Sequence, residues 1–368
     1  MVATQLRSTL AADGQLTAEI VEAQLTPPAP HEVLIRVEAA PVNPSDLGLL
    51  FASADVANGV YADKRVVAAM PEASLRTMSA RLGTPLPVGN EGAGLVIAAG
   101  DAPEAQALLN RRVTCMAGGM FADYRLVDAR LCLPLPEGVS AEQGAAAFVN
   151  PMTALAFVEQ MRIDGHKALV HTAAASNLGQ MLVRICAADG IPLVNIVRSP
   201  AQVALLEGIG AEHVLDSSQA DFAARLNAAI AATGATMLFD AIGGGTLVGQ
   251  ILTSMERHAA PPGEFSRYGA AHFKQAYVYG ALDMAPTVLD RRFGFAWSVS
   301  GWLLTPFLAQ AGEAVTARIH DRVFAELTTT FASHYQTRIT LGEMLEREHV
   351  LAYNARRTGE KYLVLPNG

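Results

Sequence analysis

A run of small residues, AAASNLGQ at 173–180, follows the apolar segment ALVHT. Ala173, Ser176 and Gly179 occupy the three small-residue positions of an AxxGxxG dinucleotide fingerprint. Small residues there let the chain turn tightly, approach a pyrophosphate and pack the next helix on the strand. The pyrophosphate would lie at the helix N-terminus, where free N–H groups and the dipole favour anions. Asn177 and Leu178 complete the predicted set. Taken alone the motif is weak, because any tight strand-to-helix turn needs small residues.

The residue after the next apolar segment, LVNIV, indicates which dinucleotide is bound. Enzymes that use NAD place Asp or Glu about 20 residues on, where it binds the ribose 2′-hydroxyl. This chain has Arg198 and Ser199 there, and its first acidic residue afterwards is Glu207. Because a guanidinium can pair with a 2′-phosphate, the sequence predicts NADP(H). The alternative is that Arg198 is a solvated loop residue.

A third candidate segment is FDAIGGGTL, at 239–247. Its glycines could bring the backbone close to the nicotinamide ribose, so Ile242, Gly243 and Gly244 join the predicted cofactor site. The alternative is a simple turn.

Length and composition limit the classes of function. A chain of 368 residues is too long for one ordinary core and predicts two domains with a cleft between them. The net charge of -8 offers no positive field for nucleic acid or an anionic membrane. The three cysteines are far apart in sequence, and the first 30 residues lack an unbroken apolar run, so we expect a cytoplasmic protein. Residues 293–312 are uncharged, but their Gly, Ser and Pro favour buried structure over a membrane span.

The order of elements predicts an α/β protein. Residues 31–43 alternate apolar and polar positions, as a half-buried strand does. Ser140 and Gln143 form a capping box that opens an apolar helix, which Asn150-Pro151 would interrupt. Strands and helices then alternate, which predicts a parallel, doubly wound sheet. The predicted strands are 92–100, 168–172, 193–197, 213–216, 237–242 and 276–282, with a last strand in GEKYLVLP near the C-terminus.

Residues 48–87 are a long stretch between two predicted strands and include MPEASLRTMSARLG, whose apolar spacing suits a short helix. We expect this excursion to narrow or cover a pocket. Small acceptors would then be preferred to long acyl thioesters.

Several motifs together resemble one family, the medium-chain dehydrogenases/reductases, in particular the quinone oxidoreductases and 2-enoyl thioester reductases. The resemblance implies a GroES-like catalytic domain over 1–150 and 321–368, a Rossmann NADP-binding domain over 151–320, and a homodimer. In chain order the motifs are VNPSDL (42–47), PVGNEGAGLVIAAG (87–100), MFADYRLVDARLCLPLPEGVS (120–140), FVNPMTAL (148–155), AAASNLGQ, NIVRS, LEGIGAEHVLD (206–216) and GEKYLVLP.

Two departures separate the chain from the zinc alcohol dehydrogenases of this superfamily. Those enzymes carry a zinc-binding Cys near the first motif and a His in Gly-His-Glu, where this chain reads VNPSDL and Gly89-Asn90-Glu91. The closely spaced cysteines of their structural zinc are also missing, so we predict no metal. Without a Lewis acid, reduction of a quinone or a conjugated C=C is easier than oxidation of an alcohol.

The resemblance also implies roles for single residues. Asn43 would face the nicotinamide and the substrate, and Thr153 would help to hold the cofactor. Tyr61 is the candidate for a Tyr that orients or protonates the substrate, and Trp302 would line the substrate pocket. Each has a structural alternative: an Asn-Pro turn, a helix Thr, a surface aromatic and a core Trp.

Two other functions remain open. One is a binding protein that keeps NADPH without turnover, as the lens crystallins of this family do. The other is a zinc alcohol dehydrogenase with unusual ligands.

Overall fold

The computed structural model describes residues 1–259, 266–359 and 361–368. The chain forms two compact units, one of Met1–Val149 with Phe324–Gly368 and one of Asn150–Val323. We call them unit 1 and unit 2. Glu360, in the closing GEKYLVLP motif, lies outside the described residues.

The strands and helices are numbered in chain order. The strands are β1 Val2–Leu10, β2 Gln15–Gln24, β3 Glu32–Pro41, β4 Val60–Ala62, β5 Arg65–Ala69, β6 Leu86–Pro87, β7 Gly92–Ala99, β8 Arg112–Cys115, β9 Tyr124–Asp128, β10 Cys132–Pro134, β11 Leu169–Thr172, β12 Leu193–Val197, β13 His213–Asp216, β14 Met237–Asp240, β15 Gly243–Gly245, β16 Lys274–Val278, β17 Asp283–Thr287, β18 Trp297–Gly301, β19 Thr337–Thr340 and β20 Tyr362–Leu365. The α-helices are α1 Pro44–Leu50, α2 Glu72–Thr77, α3 Pro103–Gln106, α4 Ala141–Gly144, α5 Val149–Ile163, α6 Asn177–Asp189, α7 Pro200–Glu207, α8 Phe222–Thr233, α9 Leu247–Ala259, α10 Leu304–Ala311, α11 Glu313–Ala325 and α12 Arg347–Asn354.

Unit 1 is built on two sheets with one apolar core. The first sheet has the order β4-β5-β2-β1-β6, and the second β10-β8-β7-β3-β20-β19, with β9 also paired to β3. Alternating positions of β3 are fully buried, as its apolar pattern predicts. The predicted last strand is β20, which pairs with β3 and so brings the end of the chain beside the first predicted strand.

Residues 48–87 form part of the first sheet. β4 and β5 form a hairpin, and β5 pairs with β2 over five residues, from Gln15↔Ala69 to Glu19↔Arg65. The predicted short helix is α2, which has no buried residue. Most of this segment therefore contributes to the fold of unit 1, a role that the sequence analysis did not foresee.

Unit 2 contains a six-stranded sheet in which every pairing is parallel. Its order is β13-β12-β11-β14-β16-β18. Numbered along the chain, this is the 3-2-1-4-5-6 order of a doubly wound dinucleotide-binding fold. The prediction of an α/β fold with a doubly wound parallel sheet is confirmed.

Three local predictions change in the structure. The capping box is present, with the Ser140 side chain accepting from the Gln143 N–H, but it opens only the short helix α4. Asn150 and Pro151 lie in the first turn of α5, where Pro is tolerated because the first N–H groups of a helix have no partner. The strand expected at 276–282 is β16 and begins two residues earlier, at Lys274.

Residues 293–312 are divided between β18 and the short helix α10. Within the described ranges, no helix is long and apolar enough to cross a bilayer.

Candidate active site

In unit 2 the fingerprint turn and the glycine-rich turn meet where the strand order of the sheet reverses, between β11 and β14. The Thr172 hydroxyl, at the end of β11, donates to Asp240 Oδ1 at 2.6 Å and accepts from the Ala241 N–H at 2.9 Å. Asp240 Oδ2 accepts from the Gly243 N–H at 2.7 Å. These buried bonds hold the two loops together at the switch point where α/β sheets of this order bind their ligands.

The fingerprint turn has the geometry that its small residues require. Ala173 has φ of 49°, in the left-handed region that usually favours glycine. The Ser176 hydroxyl caps α6 by accepting from the Gly179 N–H at 3.1 Å. A Cβ on Gly179 would collide with the carbonyl oxygen of Ala174, so no side chain fits there. Asn177 and Leu178 form the first turn of α6, whose N-terminus is the anion-binding end of the helix.

Arg198 and Ser199 follow the end of β12, next to β11 in the sheet. The Ser199 hydroxyl caps α7, and the Arg198 N–H donates to Gln202 Oε1 at 3.0 Å. The Arg198 side chain is exposed and forms no ion pair with any residue that the structure describes. Its guanidinium is therefore available to a phosphate.

The glycine-rich turn has a packing role. Gly243–Gly245 form β15, which pairs with β17. A Cβ on Gly244 would lie 2.7 Å from the Asp283 carboxyl carbon, so the glycine is needed for this close approach. Ile242 is partly exposed, and its carbonyl accepts from the Asp283 N–H at 2.9 Å. These contacts explain the glycines without a cofactor, and the ribose contact stays a prediction.

A pocket of about 510 Å³ opens at the ends of β16 and β18. Tyr279, Gly280, Trp302 and Leu303 are among its lining residues. Trp302 is only 7% exposed, and its indole N–H donates to Gln160 Oε1 at 3.2 Å. The Phe157 ring lies edge-on to both Tyr279 and Trp302, at 4.8 Å and 4.9 Å between centroids. Trp302 is thus a fixed wall of the pocket and part of the core.

In unit 1 the VNPSDL and GNEGAG segments are joined by buried hydrogen bonds. The Asn43 side-chain amide donates to Glu91 Oε1 at 2.8 Å. Asp46 accepts from the Asn43 N–H at 2.8 Å and from the Asn90 N–H at 2.7 Å. The Asn90 amide donates to the Ser45 hydroxyl at 2.9 Å. Asn43, Asp46 and Glu91 are at most 1% exposed, so this cluster is a buried polar group of the core whose members are hydrogen-bonded.

Burial shifts the titration of this cluster. It raises the pKa of Asp46 to about 7 and raises the pKa of Glu91, despite the N–H groups that favour their ionised forms. Lys361, just before β20, has its pKa lowered by burial to about 8, while the Glu91 and Asp46 carboxylates act to raise it. The positive charge of Lys361 thus favours the ionised forms of both buried acids.

The donors in this cluster do not fit the catalytic zinc of the alcohol dehydrogenases. That site needs thiolate and imidazole ligands, and the matching segments here provide amides and carboxylates that already bind each other. Among the described residues, the group with suitable spacing for a cation is Glu346, Glu348 and His349, elsewhere in unit 1.

Two further predicted residues are placed as follows. Thr153 is buried within α5. The Tyr61 hydroxyl donates to the Val56 carbonyl at 2.8 Å, and its ring packs against the core of unit 1. Because the Tyr61 proton is engaged there, this conformation does not offer it to a substrate.

Sequence reasoning missed four residues of these sites: His171 and Tyr279 in unit 2, and Glu91 and Lys361 as an interacting pair in unit 1. A polar residue within an otherwise apolar strand, such as His171 in ALVHT, was the available signal. The partner of each lies far away in sequence, so the pairing could not be predicted.

Comparisons with known proteins agree with these two units. A family model of the alcohol dehydrogenase GroES-like domain matches residues 29–137, and a family model named zinc-binding dehydrogenase matches residues 178–292. Together they cover more than half of the chain. The predicted fold class, with its GroES-like part, is thereby confirmed.

Individual relatives are more distant. The mitochondrial enoyl-[acyl-carrier-protein] reductase of Xenopus tropicalis is 25% identical over 201 residues, 53% of this chain and 51% of the relative. A mycocerosic acid synthase-like polyketide synthase of Mycobacterium tuberculosis is 26% identical over 230 residues, 62% of this chain but 10% of the relative. The chain thus spans about half the length of the first protein and a tenth of the second.

A solved structure resembles the chain over nearly its full length. It comes from Mesorhizobium loti and is named as an NADPH:quinone reductase. The similarity has a TM-score of 0.75 and 25% identity, over 99% of this chain and 98% of the other.

Proposed function

Since this chain belongs to the medium-chain dehydrogenase/reductase superfamily, we propose that it is an NADPH-dependent reductase that works without zinc. Its substrates are small-molecule acceptors, namely quinones or the activated C=C bonds of α,β-unsaturated carbonyl compounds. The bound NADPH would supply a hydride to the electrophilic carbon of the acceptor.

One observation carries this proposal: the fingerprint turn, Arg198, the glycine-rich turn and an apolar pocket all lie at the carboxyl ends of strands of one parallel sheet. The exposed Arg198 follows β12, the fingerprint turn follows β11, and the pocket opens beyond β16 and β18. Neighbouring strands are about 4.8 Å apart, so the carboxyl ends of β12 and β16, which are separated by β11 and β14, are about 14 Å from each other. An extended dinucleotide can lie across these strand ends, with its 2′-phosphate end near Arg198.

The groups along these strand ends would have different roles. Arg198 would pair with the 2′-phosphate, and the N-terminus of α6 would bind the pyrophosphate. Ile242, Gly243 and Gly244 would lie near the nicotinamide ribose. The aromatic wall formed by Trp302 would keep water from the reacting atoms. Asn43 and Thr153 keep the positioning roles that the family resemblance implies.

The substrate class follows from how the site can stabilise negative charge on the substrate. In a site without a Lewis acid, charge that develops on the substrate must be delocalised by the substrate or stabilised by hydrogen bonds. Quinones and conjugated carbonyls delocalise it over oxygen, whereas a simple alkoxide does not. Simple alcohols should therefore not be oxidised.

The test is a survey of NADPH oxidation against quinones, enones, enals and enoyl thioesters, with alcohols plus NADP⁺ as the reverse reaction. We expect turnover with at least one activated acceptor and none with the alcohols. NADPH binding without turnover of any acceptor would instead indicate a binding protein.

Metal dependence is tested on the same preparation. We expect no stoichiometric zinc by elemental analysis and no loss of activity with chelators. Activity that is lost on chelation and restored by zinc would overturn the zinc-independent mechanism.

A further inference from the structure

One lining residue of the pocket, Tyr279, has a buried partner that the predicted site does not include. The Tyr279 oxygen lies 2.8 Å from Nε2 of His171 in β11, and the two rings are nearly parallel, with 14° between their planes. His171 is completely buried, whereas Tyr279 is partly exposed at the pocket. The histidine therefore supports the tyrosine from the side away from solvent.

The protonation of His171 decides the direction of this hydrogen bond. Burial lowers the pKa of His171 to about 3, so the ring is neutral and carries a single N–H. Its Nδ1 is buried and has no hydrogen-bond partner among the described residues. With the proton on Nδ1, that N–H would be a fully buried donor without an acceptor; with the proton on Nε2, the group that needs an acceptor is instead the O–H of Tyr279, a residue that lines the pocket. The proton therefore belongs on Nε2, which donates to the Tyr279 oxygen.

This tautomer leaves the proton of Tyr279 free. Since Nε2 already carries a hydrogen, the tyrosine O–H cannot donate to it and must point elsewhere. Within the described part of the chain, the Tyr279 hydroxyl makes no other hydrogen bond. Burial and the nearby Asp240 carboxylate raise the pKa of Tyr279, so the hydroxyl keeps its proton near neutral pH. The hydroxyl is a fixed neutral donor.

We propose that Tyr279, oriented by His171, donates a hydrogen bond to the carbonyl oxygen of the acceptor in this pocket. The inference rests on the proposed function and specifies how it stabilises charge. As the acceptor takes a hydride from NADPH, its carbonyl π electrons move onto oxygen, and the Tyr279 O–H stabilises the resulting enolate or hydroquinone anion. Water supplies the proton that completes the reduction. Tyr279 returns to its starting state, and His171 acts as a positioning residue.

The direct test is Tyr279→Phe, which keeps the ring and removes the hydroxyl. We expect kcat with an enone to fall on the order of 100-fold, as for loss of one donor to an oxyanion. NADPH affinity should not change, and the isotope effect with NADPH deuterated at the transferred position should rise. The loss should be smaller for electron-poor quinones, whose reduced anions need less stabilisation.

Tyr277→Phe is the matched control. Tyr277 lies two residues earlier, and its hydroxyl bonds to Asp164 at 2.8 Å instead of lining the pocket. Its kcat should equal that of the unchanged protein. A Tyr279→Phe variant with the same kcat as Tyr277→Phe would overturn the inference.

A binding measurement separates this inference from the proposed function. 4-(Dimethylamino)cinnamaldehyde is a coloured enal whose absorption moves to longer wavelength when its carbonyl oxygen accepts a hydrogen bond. With NADP⁺ present, we expect this shift in the unchanged protein and in Tyr277→Phe, but not in Tyr279→Phe. A shift that depends on Tyr279 in a protein that turns over no acceptor would refute the function alone. Turnover with a shift that Tyr279→Phe retains would refute the inference alone.

A second variant covers the case in which Tyr279→Phe does not fold. Site-specific 3-fluorotyrosine at position 279 keeps the hydroxyl and makes it a stronger donor. The wavelength shift should be equal to or larger than that of the unchanged protein, and a smaller shift would contradict the assignment.

Discussion

At the residue scale, Arg198 is the feature on which cofactor choice depends. Its side chain is exposed and forms no ion pair with a described residue. The residue follows β12, the strand whose end binds the ribose in dinucleotide folds. NADH lacks the 2′-phosphate and gains little from this guanidinium. The preference for NADPH should therefore depend on this one side chain.

We expect Arg198→Glu to weaken NADPH binding about 10- to 100-fold, because a charge-assisted hydrogen bond contributes about 1.5 to 3 kcal/mol. NADH affinity should change little. Equilibrium titration of both cofactors measures the effect, with Arg76→Glu, an exposed surface residue of unit 1, as the control for the same change in charge. Equal affinities of the unchanged protein for both cofactors would contradict the assignment.

His171 also predicts how stability depends on pH. Its pKa in the folded state is about 3, below the 6.5 of an exposed histidine. Between these values the unfolded chain binds the proton and the folded chain does not, so stability falls as the pH falls below 6.5. From pH 7 to pH 5 this single group should cost about 2 kcal/mol.

Replacing His171 by Phe should remove about 2 kcal/mol of that pH dependence, whatever its effect on stability at pH 7. Urea unfolding at the two pH values, followed by tryptophan fluorescence, measures it. Trp297 and Trp302 are the two tryptophans of the sequence, and both belong to unit 2, so the signal reports the unit that contains His171. An unchanged pH dependence would mean that His171 titrates in the folded protein as it does in the unfolded chain.

At the scale of elements, Glu91 connects several parts of unit 1. It stands just before β7, binds the Asn43 amide before α1, and accepts from the Phe148 and Val149 N–H groups at 2.9 Å and 3.0 Å. A carboxylate suits the last two positions, because N–H groups at the start of a helix favour negative charge. The same group therefore orients Asn43 and fixes the chain at the beginning of α5.

Glu91→Leu removes the acceptor from three donors and should lower the free energy of unfolding by at least about 3 kcal/mol. Glu91→Gln retains one carbonyl oxygen and should lose less. The melting temperature by calorimetry measures both, with Glu72→Leu, whose side chain is exposed on α2, as the control. If Glu91→Leu melted at the same temperature as Glu72→Leu, the cluster would not be a stabilising element.

Residues 48–87, which we expected to narrow or cover a pocket, contribute to the first sheet of unit 1. The β4–β5 hairpin extends the first sheet, and the Arg81 guanidinium donates to the Leu49 carbonyl and the Ser8 hydroxyl. Removing the whole segment would therefore disrupt unit 1. The helix α2 has no fully buried residue, but its Leu75 packs against the apolar core of unit 1. The preference for small acceptors stays a prediction.

At the scale of the whole molecule, β18 is the edge strand of the parallel sheet. The Trp302 N–H donates to the Val278 carbonyl, so by the two-residue period of a strand the Val299 N–H faces away from β16. Phe295 and Leu303 are 79% and 66% exposed at either end of the strand. An open edge between exposed apolar side chains favours pairing with a second copy of the chain.

We expect the protein to be a homodimer joined through β18. Val299→Pro removes the outward N–H and should give a monomer, because no hydrogen bond inside the sheet depends on it. Val299→Ala keeps the N–H and should remain dimeric. Light scattering coupled to size exclusion measures both, and a Val299→Pro protein that stays dimeric would place the interface elsewhere.

Features that depend on a local pattern of residues could be predicted without the fold. The strand predictions at 193–197 and 213–216 coincide with β12 and β13, because short segments rich in Val, Ile and Leu are typical of parallel strands. The fingerprint turn and Arg198 were found for a similar reason, since their spacing along the chain reflects one strand–turn–helix unit.

Contacts between residues that are distant in the chain could be seen only in the fold. His171 and Tyr279 are 108 residues apart in sequence, and Asn43 and Glu91 are 48 apart. Cys115 and Cys132, which looked isolated, lie opposite each other on β8 and β10. Strand order and register bring such pairs together. Both depend on how the apolar side chains of all strands of the sheet are buried together. No short stretch of sequence contains that information, so the proposed hydrogen-bond donor of the pocket could be recognised only in the fold.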